Sequence, residues 1–419
     1  IPLDNANVLT LGLVDNDRNR YADYCNMYGI IGRATRGFKA SNTSRSGGLV
    51  MKQSYKKNKK RFVMLIGLLF LMISVMTVND SALSSRLLPV LPDHLLVFPN
   101  DYGAHPDFRL EWWYITGWLE TDDKKKFGFQ VTFFRYATDL NFGNPSRFAA
   151  KDVVIAHLAL SDPAVGRLMH REKTAREGFD LAYSKQGNTG VKLDDWFLVR
   201  EENGTYQVDM RSEDFGLQLS LRPTQKPMLQ GDQGFSRKGP KPEQASYYYS
   251  EPHLSTTGTV FKNHQSFSVD GVAWLDHEWS TAYLDSDADG WDWIGANLDD
   301  GSALMMFQIR GKKGDRIWAY AALREVSGEM RFFTANEIEF TPIRMWESPH
   351  TEAVYPVSMR IRTGEIEWQL IPLMDDQELD SRQSTGAVYW EGAVTLVKDN
   401  RSVGQGYLEL TGYVRPLTL

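Results

Sequence analysis

The chain of 419 residues has a single cysteine, Cys25. That excludes an internal disulfide and any thiolate metal cluster. It has no surplus of positive charge either, with 47 Lys and Arg against 53 Asp and Glu. The balance argues against nucleic acid and against anionic membrane surfaces as partners. Phosphate cradles of the G-x-G-x-x-G or P-loop type are absent, as are the H-x-x-x-H and H-x-H spacings of a metal site. A serine-hydrolase elbow is missing: the nearest text, Gly234-Phe235-Ser236-Arg237-Lys238-Gly239, has the wrong spacing. No cofactor and no metal are therefore expected. Long 3.6-residue periodicity is scarce too, and 164–178 is the one modest helix candidate.

What is present begins with an address. Met51 opens a basic run (Lys52, Lys56, Lys57, Lys59, Lys60, Arg61), followed by uncharged, mostly apolar residues over 62–78 and then small polar ones. This is the layout of a secretory signal, with an A-x-S cleavage after Ser84. The chain is thus expected to be exported, periplasmic or secreted; the alternative is inner-membrane anchoring by 62–78, which is at the short end for a span. Residues 1–50 have no periodic apolar face and read as an over-extended gene start or a disordered leader. Residues 1–84 hold 12 of the basic and five of the acidic side chains, leaving the remainder with a net charge of −13.

That remainder holds all twelve tryptophans, seven of them in 112–118 and 274–293. Runs rich in β-branched and aromatic residues alternate with short polar turns from Leu110 to Tyr413, about sixteen strands in all. The reading is an all-β fold. That is too many strands for one small barrel and suits two, with the boundary near 280–290 at Ser286-Asp287-Ala288-Asp289-Gly290. The domains are placed at 88–284 and 285–419. Residues 228–243, rich in Gly and Pro, read as a long loop of the kind that forms lids or mouths.

The chain is organised around Trp274-Leu275-Asp276-His277-Glu278-Trp279 and Trp291-Asp292-Trp293. On a strand, Trp274, Asp276 and Glu278 share one face, while Leu275, His277 and Trp279 share the other. Asp276 and Glu278 are close enough to perturb each other's titration. In Glu111-Trp112-Trp113-Tyr114, indoles on both faces imply a strand covered on both sides, so Glu111 needs a partner. His157 sits in an apolar strand, where a satisfied core histidine is the commoner outcome. Should Glu111, His157 and the 276–278 group converge, they would make a general acid–base site. The competing role for the same carboxylates is a polar latch.

Six motifs in order, Glu111-Trp112-Trp113-Tyr114, Ala156-His157-Leu158-Ala159-Leu160-Ser161-Asp162, Ser246-Tyr247-Tyr248-Tyr249-Ser250, Trp274 to Trp279, Gly290-Trp291-Asp292-Trp293 and Tyr389-Trp390-Glu391-Gly392, resemble the AttH-like family. Its members are labelled predicted secreted hydrolases and are related to hydroxyneurosporene synthases, the carotenoid 1,2-hydratases. The resemblance implies two tandem lipocalin-like, calycin-type antiparallel β-barrel domains and a cofactor-free site near their junction. The hydratases' essential His and Trp would fall on His277 and Trp279. Their further Tyr and Asp would fall within Leu304-Met305-Met306-Phe307-Gln308, where neither occurs.

The expectation is a Trp-lined cavity near the domain junction that holds a hydrophobic small molecule, lipid or isoprenoid. Its candidate acid–base residues are His277, Asp276, Glu278, Glu111 and Asp292; its candidate ligand-binding residues are Trp112, Trp113, Tyr248, Trp274, Trp279, Trp291, Trp293 and His157. Two functions of different classes remain: a hydratase, cyclase or hydrolase, and a non-catalytic carrier associated with a membrane or an export transporter. A carbohydrate-active enzyme using paired carboxylates is a further alternative.

Overall fold

The computed structural model describes residues 87–138, 146 and 148–417. The signal or anchor segment, the leader and the A-x-S junction lie outside them. Among the described residues there is no α-helix, only two short 3-10 turns, and no helix long and apolar enough to cross a membrane. Everything else regular is antiparallel strand, in a sheet of 13 strands and a sheet of 10.

Both sheets follow one plan. In the first, Leu110–Glu120 opens the sheet and pairs with its last strand, Gln265–Ser280. In the second, Ala288–Leu298 opens and pairs with the last strand, Arg401–Leu410. The remaining strands meander between, so each sheet curls on itself as an up-and-down barrel does. The first nearly closes, because its outermost strands, Leu168–Arg176 and Ala182–Ser184, are joined through a bridge between Gly178 and Ala182. These are the two tandem lipocalin-like barrels.

The segment 164–178 is not helical. Asp162 accepts a hydrogen bond from the Ala164 backbone in a turn that ends on Gly166 at φ +76°, and Leu168–Arg176 then pairs with residues 153–161. A ready strand edge outweighs weak helical propensity. The expected loop over 228–243 is likewise partly ordered. Met228–Leu229 and Phe235–Arg237 both pair with Ala245–Lys262, an 18-residue strand.

Each barrel has its own apolar interior, built from alternate residues of its strands. A third cluster, including Tyr114, Trp118, Tyr248, Trp274, Trp293, Phe307 and Tyr407, lies between the two sheets. Polar contacts stitch the same seam: the Trp118 indole donates to the Gly406 carbonyl at 3.0 Å, and Asn297 donates to Ala273 O at 3.2 Å. Strands with both faces covered, such as Leu110–Glu120, serve the barrel interior and the seam at once.

Candidate functional site

The strand Gln265–Ser280 lies between Leu110–Glu120 and Ala245–Lys262, with His277 opposite Trp113 and Tyr249. Its period of two sends neighbouring side chains to opposite faces. His277 and Trp279 enter the first barrel, whereas Asp276 and Glu278 face the seam. The residues expected to form one site are therefore divided between two.

Inside the barrel, Glu111 is the hub of a closed network. One carboxylate oxygen lies 2.9 Å from His277 Nε2 and 2.7 Å from His105 Nδ1; the other accepts from Arg135 Nε at 3.0 Å. The His105 backbone N–H also donates to this carboxylate, at 2.9 Å. Arg135, fully buried, completes its donors on Asp152 and on the carbonyls of His105 and Phe108. Burial alone would raise Glu111, but the imidazoles and the guanidinium outweigh it and hold the carboxyl well below its ordinary range. Burial lowers His277 to about 4, against the pull of Glu111. A carboxylate only accepts, so both imidazole nitrogens facing it carry protons, and Nδ1 of neutral His277 accepts from the Tyr249 hydroxyl at 3.0 Å. The rings stack as well, His277 on Trp113 at 4.6 Å and His105 on Trp279 at 3.7 Å.

His105, Glu111 and His277 do bring ligand-type atoms within 4.8 Å of one another. Their nitrogens lie at hydrogen-bond distance from the carboxylate and Arg135 shares it, an arrangement that suits a buried polar network.

The seam holds a hollow of about 440 Å³, walled by both barrels. Trp112, Tyr114, Tyr248, Tyr283, Trp291 and Trp293 supply aromatic faces, and Phe134, Ile155 and Ile309 aliphatic and aromatic fill. Four carboxyls look into it: Asp276 and Glu278 from the first barrel, Glu391 and Glu409 from the second. Asp276 accepts from Tyr248 OH at 2.6 Å, Ser250 Oγ at 2.5 Å and Trp274 Nε1 at 2.7 Å. Burial nevertheless pushes Asp276 up to about 7, because three neutral donors offset only part of the lost hydration. Glu278 is raised by burial too, though Lys238 Nζ lies 2.9 Å away and Ser246 donates to it. Lys238 is itself buried, against the rings of Tyr248 and Phe307, and burial lowers its ammonium.

The other expected site residues lie elsewhere. Trp113 and Trp279 are in the barrel interior with His277, by the same alternation that divides the carboxylates. Trp274 belongs to the seam but stands behind Asp276, which it hydrogen-bonds. Asp292 points away from Trp291 and Trp293 and is held by Arg310 Nε at 3.0 Å, Gln308 Nε2 at 2.7 Å and Tyr413 OH at 2.9 Å, which makes it a latch. His157 bonds Tyr389 OH and Ser384 Oγ, each at 2.9 Å, behind two residues that line the hollow, and burial lowers it to about 3. It is a satisfied histidine bridging the barrels. Within 304–308, Phe307 faces the hollow.

Sequence reasoning missed His105, Lys238, Glu391 and Glu409 as site residues. A lone acid within the apolar stretches 387–394 and 407–410 was the available signal for Glu391 and Glu409. Lys238, inside a polar-looking Gly- and Pro-rich segment, gave none.

Comparison with known proteins agrees with this architecture. The profile of the AttH-like family matches residues 89–413. The crystal structure of a protein described as an AttH from Nitrosomonas europaea is 61% identical, over 78% of this chain and 100% of that one, with a TM-score of 0.75. That of kievitone hydratase from Nectria haematococca shares the fold at 14% identity, over 78% of this chain and 96% of that one, with a TM-score of 0.58. No curated protein matches the chain. With the family match spanning both barrels, the chain belongs to the AttH-like family.

Proposed function

We propose that the protein binds a hydrophobic small molecule in the hollow between its barrels and acts on it by cofactor-free acid–base chemistry, with Asp276 as proton donor. The observation that carries this reading is a cavity of about 440 Å³ with an aromatic wall and a buried carboxyl raised to about 7 in it. Such a group is poised to give and take a proton near neutrality. Tyr248 orients Asp276, and Trp293 Nε1 donates to Tyr248 OH at 3.1 Å, so the acid rests on a rigid relay. Hydration of an apolar substrate is the reaction class, by analogy with the fold of kievitone hydratase. Export of the protein is part of the proposal and rests on the 51–84 pattern.

A carrier without catalysis is the second reading. It is favoured by the full set of donors on Asp276 and by the closed Lys238–Glu278 pair.

The test starts from mass spectrometry of organic extracts of the purified protein. The compound recovered is then incubated with wild type and Asp276→Asn in deuterated water. Wild type is expected to incorporate deuterium or to add one deuterated water, and the variant to retain the compound without converting it. Retention by both, with conversion by neither, replaces catalysis with carriage.

A further inference from the structure

Glu391 and Glu409 are direct partners on adjacent antiparallel strands, so their side chains leave the sheet on the same face, into the hollow. Like charges in this position repel. Glu391 is 1% exposed, and its Oε2 has no hydrogen-bond partner. Around it stand the hydroxyls of Tyr114, Tyr389 and Tyr407; around Glu409 stand Trp291, Tyr283, Asp276 and Glu278. Lys238, the one cation on the wall among the described residues, bonds Glu278 and Ser236. No ion pair to Glu391 or Glu409 occurs among the described residues. Glu111 and Asp292 are each met by a guanidinium; this pair has only neutral donors, the Tyr114 hydroxyl beside Glu391 and the Trp291 indole beside Glu409, and looks into the hollow.

We propose that Glu391 and Glu409, with the indole of Trp291, form a subsite for the positively charged end of a hydrophobic ligand, and that the two carboxyls share one proton until such a ligand enters. The inference rests on the hollow being a site for apolar molecules, and names the charge such a molecule carries. Two adjacent buried carboxyls resist double ionisation, so a proton supplies the missing positive charge. An ammonium group supplies it equally, and adds attraction to the indole face. On entry the cation takes the place of the proton, which leaves to the buffer, and no other bond changes. Burial and then mutual repulsion raise Glu391 well above its usual range, while burial raises Glu409 to about 7, consistent with a retained proton near neutrality.

Isothermal titration calorimetry with octyltrimethylammonium, octan-1-ol and octanoate tests this, in buffers of different ionisation enthalpy. Wild type is expected to prefer the ammonium over the alcohol by roughly tenfold, the yield of one desolvated cation–aromatic contact. It should bind octanoate most weakly, and release a proton only to the ammonium. Glu409→Gln and Glu391→Gln should each lose the preference for the ammonium over the alcohol, and with it the proton release. Should a variant fail to fold, the wild type still decides, because the preference must grow between about pH 5 and about pH 8 as the pair ionises. Equal affinity for alcohol and ammonium, or a preference independent of pH, overturns the subsite and leaves the apolar site standing. Failure of all three probes to bind overturns both.

Discussion

Replacing Glu111 by Gln separates a latch from a catalytic group. The carboxylate is fully buried and shared among Arg135, His105 and His277, and the guanidinium is equally buried. Removing one member of a buried ion pair leaves the other charge uncompensated, at about 3–5 kcal/mol. The amide keeps the shape and part of the hydrogen bonding, so the lower end, about 3 kcal/mol, is expected. With a urea dependence of roughly 3 kcal/mol per molar for this much buried surface, the midpoint should fall by roughly 1 M. The pH dependence gives a second measure. Glu111 is held below its unfolded value, so its contribution is complete above the ordinary carboxylate range and is lost as pH falls through the depressed folded value. The deficit of Glu111→Gln should therefore be full at neutrality and shrink only in strong acid. The assay is urea denaturation at several pH values, beside retention of the co-purifying compound. A variant as stable as wild type that no longer holds or converts the compound would refute the latch and return Glu111 to the chemistry.

Two further predictions concern the hollow. Asp276 is raised in the fold from its ordinary 3.8 to about 7, so the stability it contributes at low pH is lost as pH rises through about 7. Asp276→Asn should thus gain on wild type across that window, by ~4 kcal/mol at most; denaturation midpoints that stay parallel with pH would contradict it. Lys238→Met breaks the buried pair with Glu278 and should cost about 3–5 kcal/mol, most of it restored in Lys238→Met/Glu278→Gln. Additive losses in a denaturation double-mutant cycle would show that the pair does not act as a unit.

Alternation settled more than it promised. The period of two along Gln265–Ser280 already assigns Asp276 and Glu278 to one face and His277 to the other. It cannot say which face meets an apolar interior and which a cavity. Glu111 illustrates the limit: its need for a partner is readable from Trp112 and Trp113, but Arg135 and His105 reach it only because barrel strands curl around a shared interior.

What the sequence determines by itself is thus local and periodic: strands in place of helices, faces that must be covered, the order of motifs that marks the family, and a thiol-free, acidic body after residue 84. What only the tertiary structure decides is company. Glu391 and Glu409 lie 18 positions apart and become neighbours through strand pairing, and they meet Asp276 and Glu278 only because two barrels share a seam. Lys238 becomes buried because Phe235–Arg237 pairs with Ala245–Lys262 and draws the following residue inward. Burial and proximity are properties of the packed chain, and the protonation of these groups follows from both.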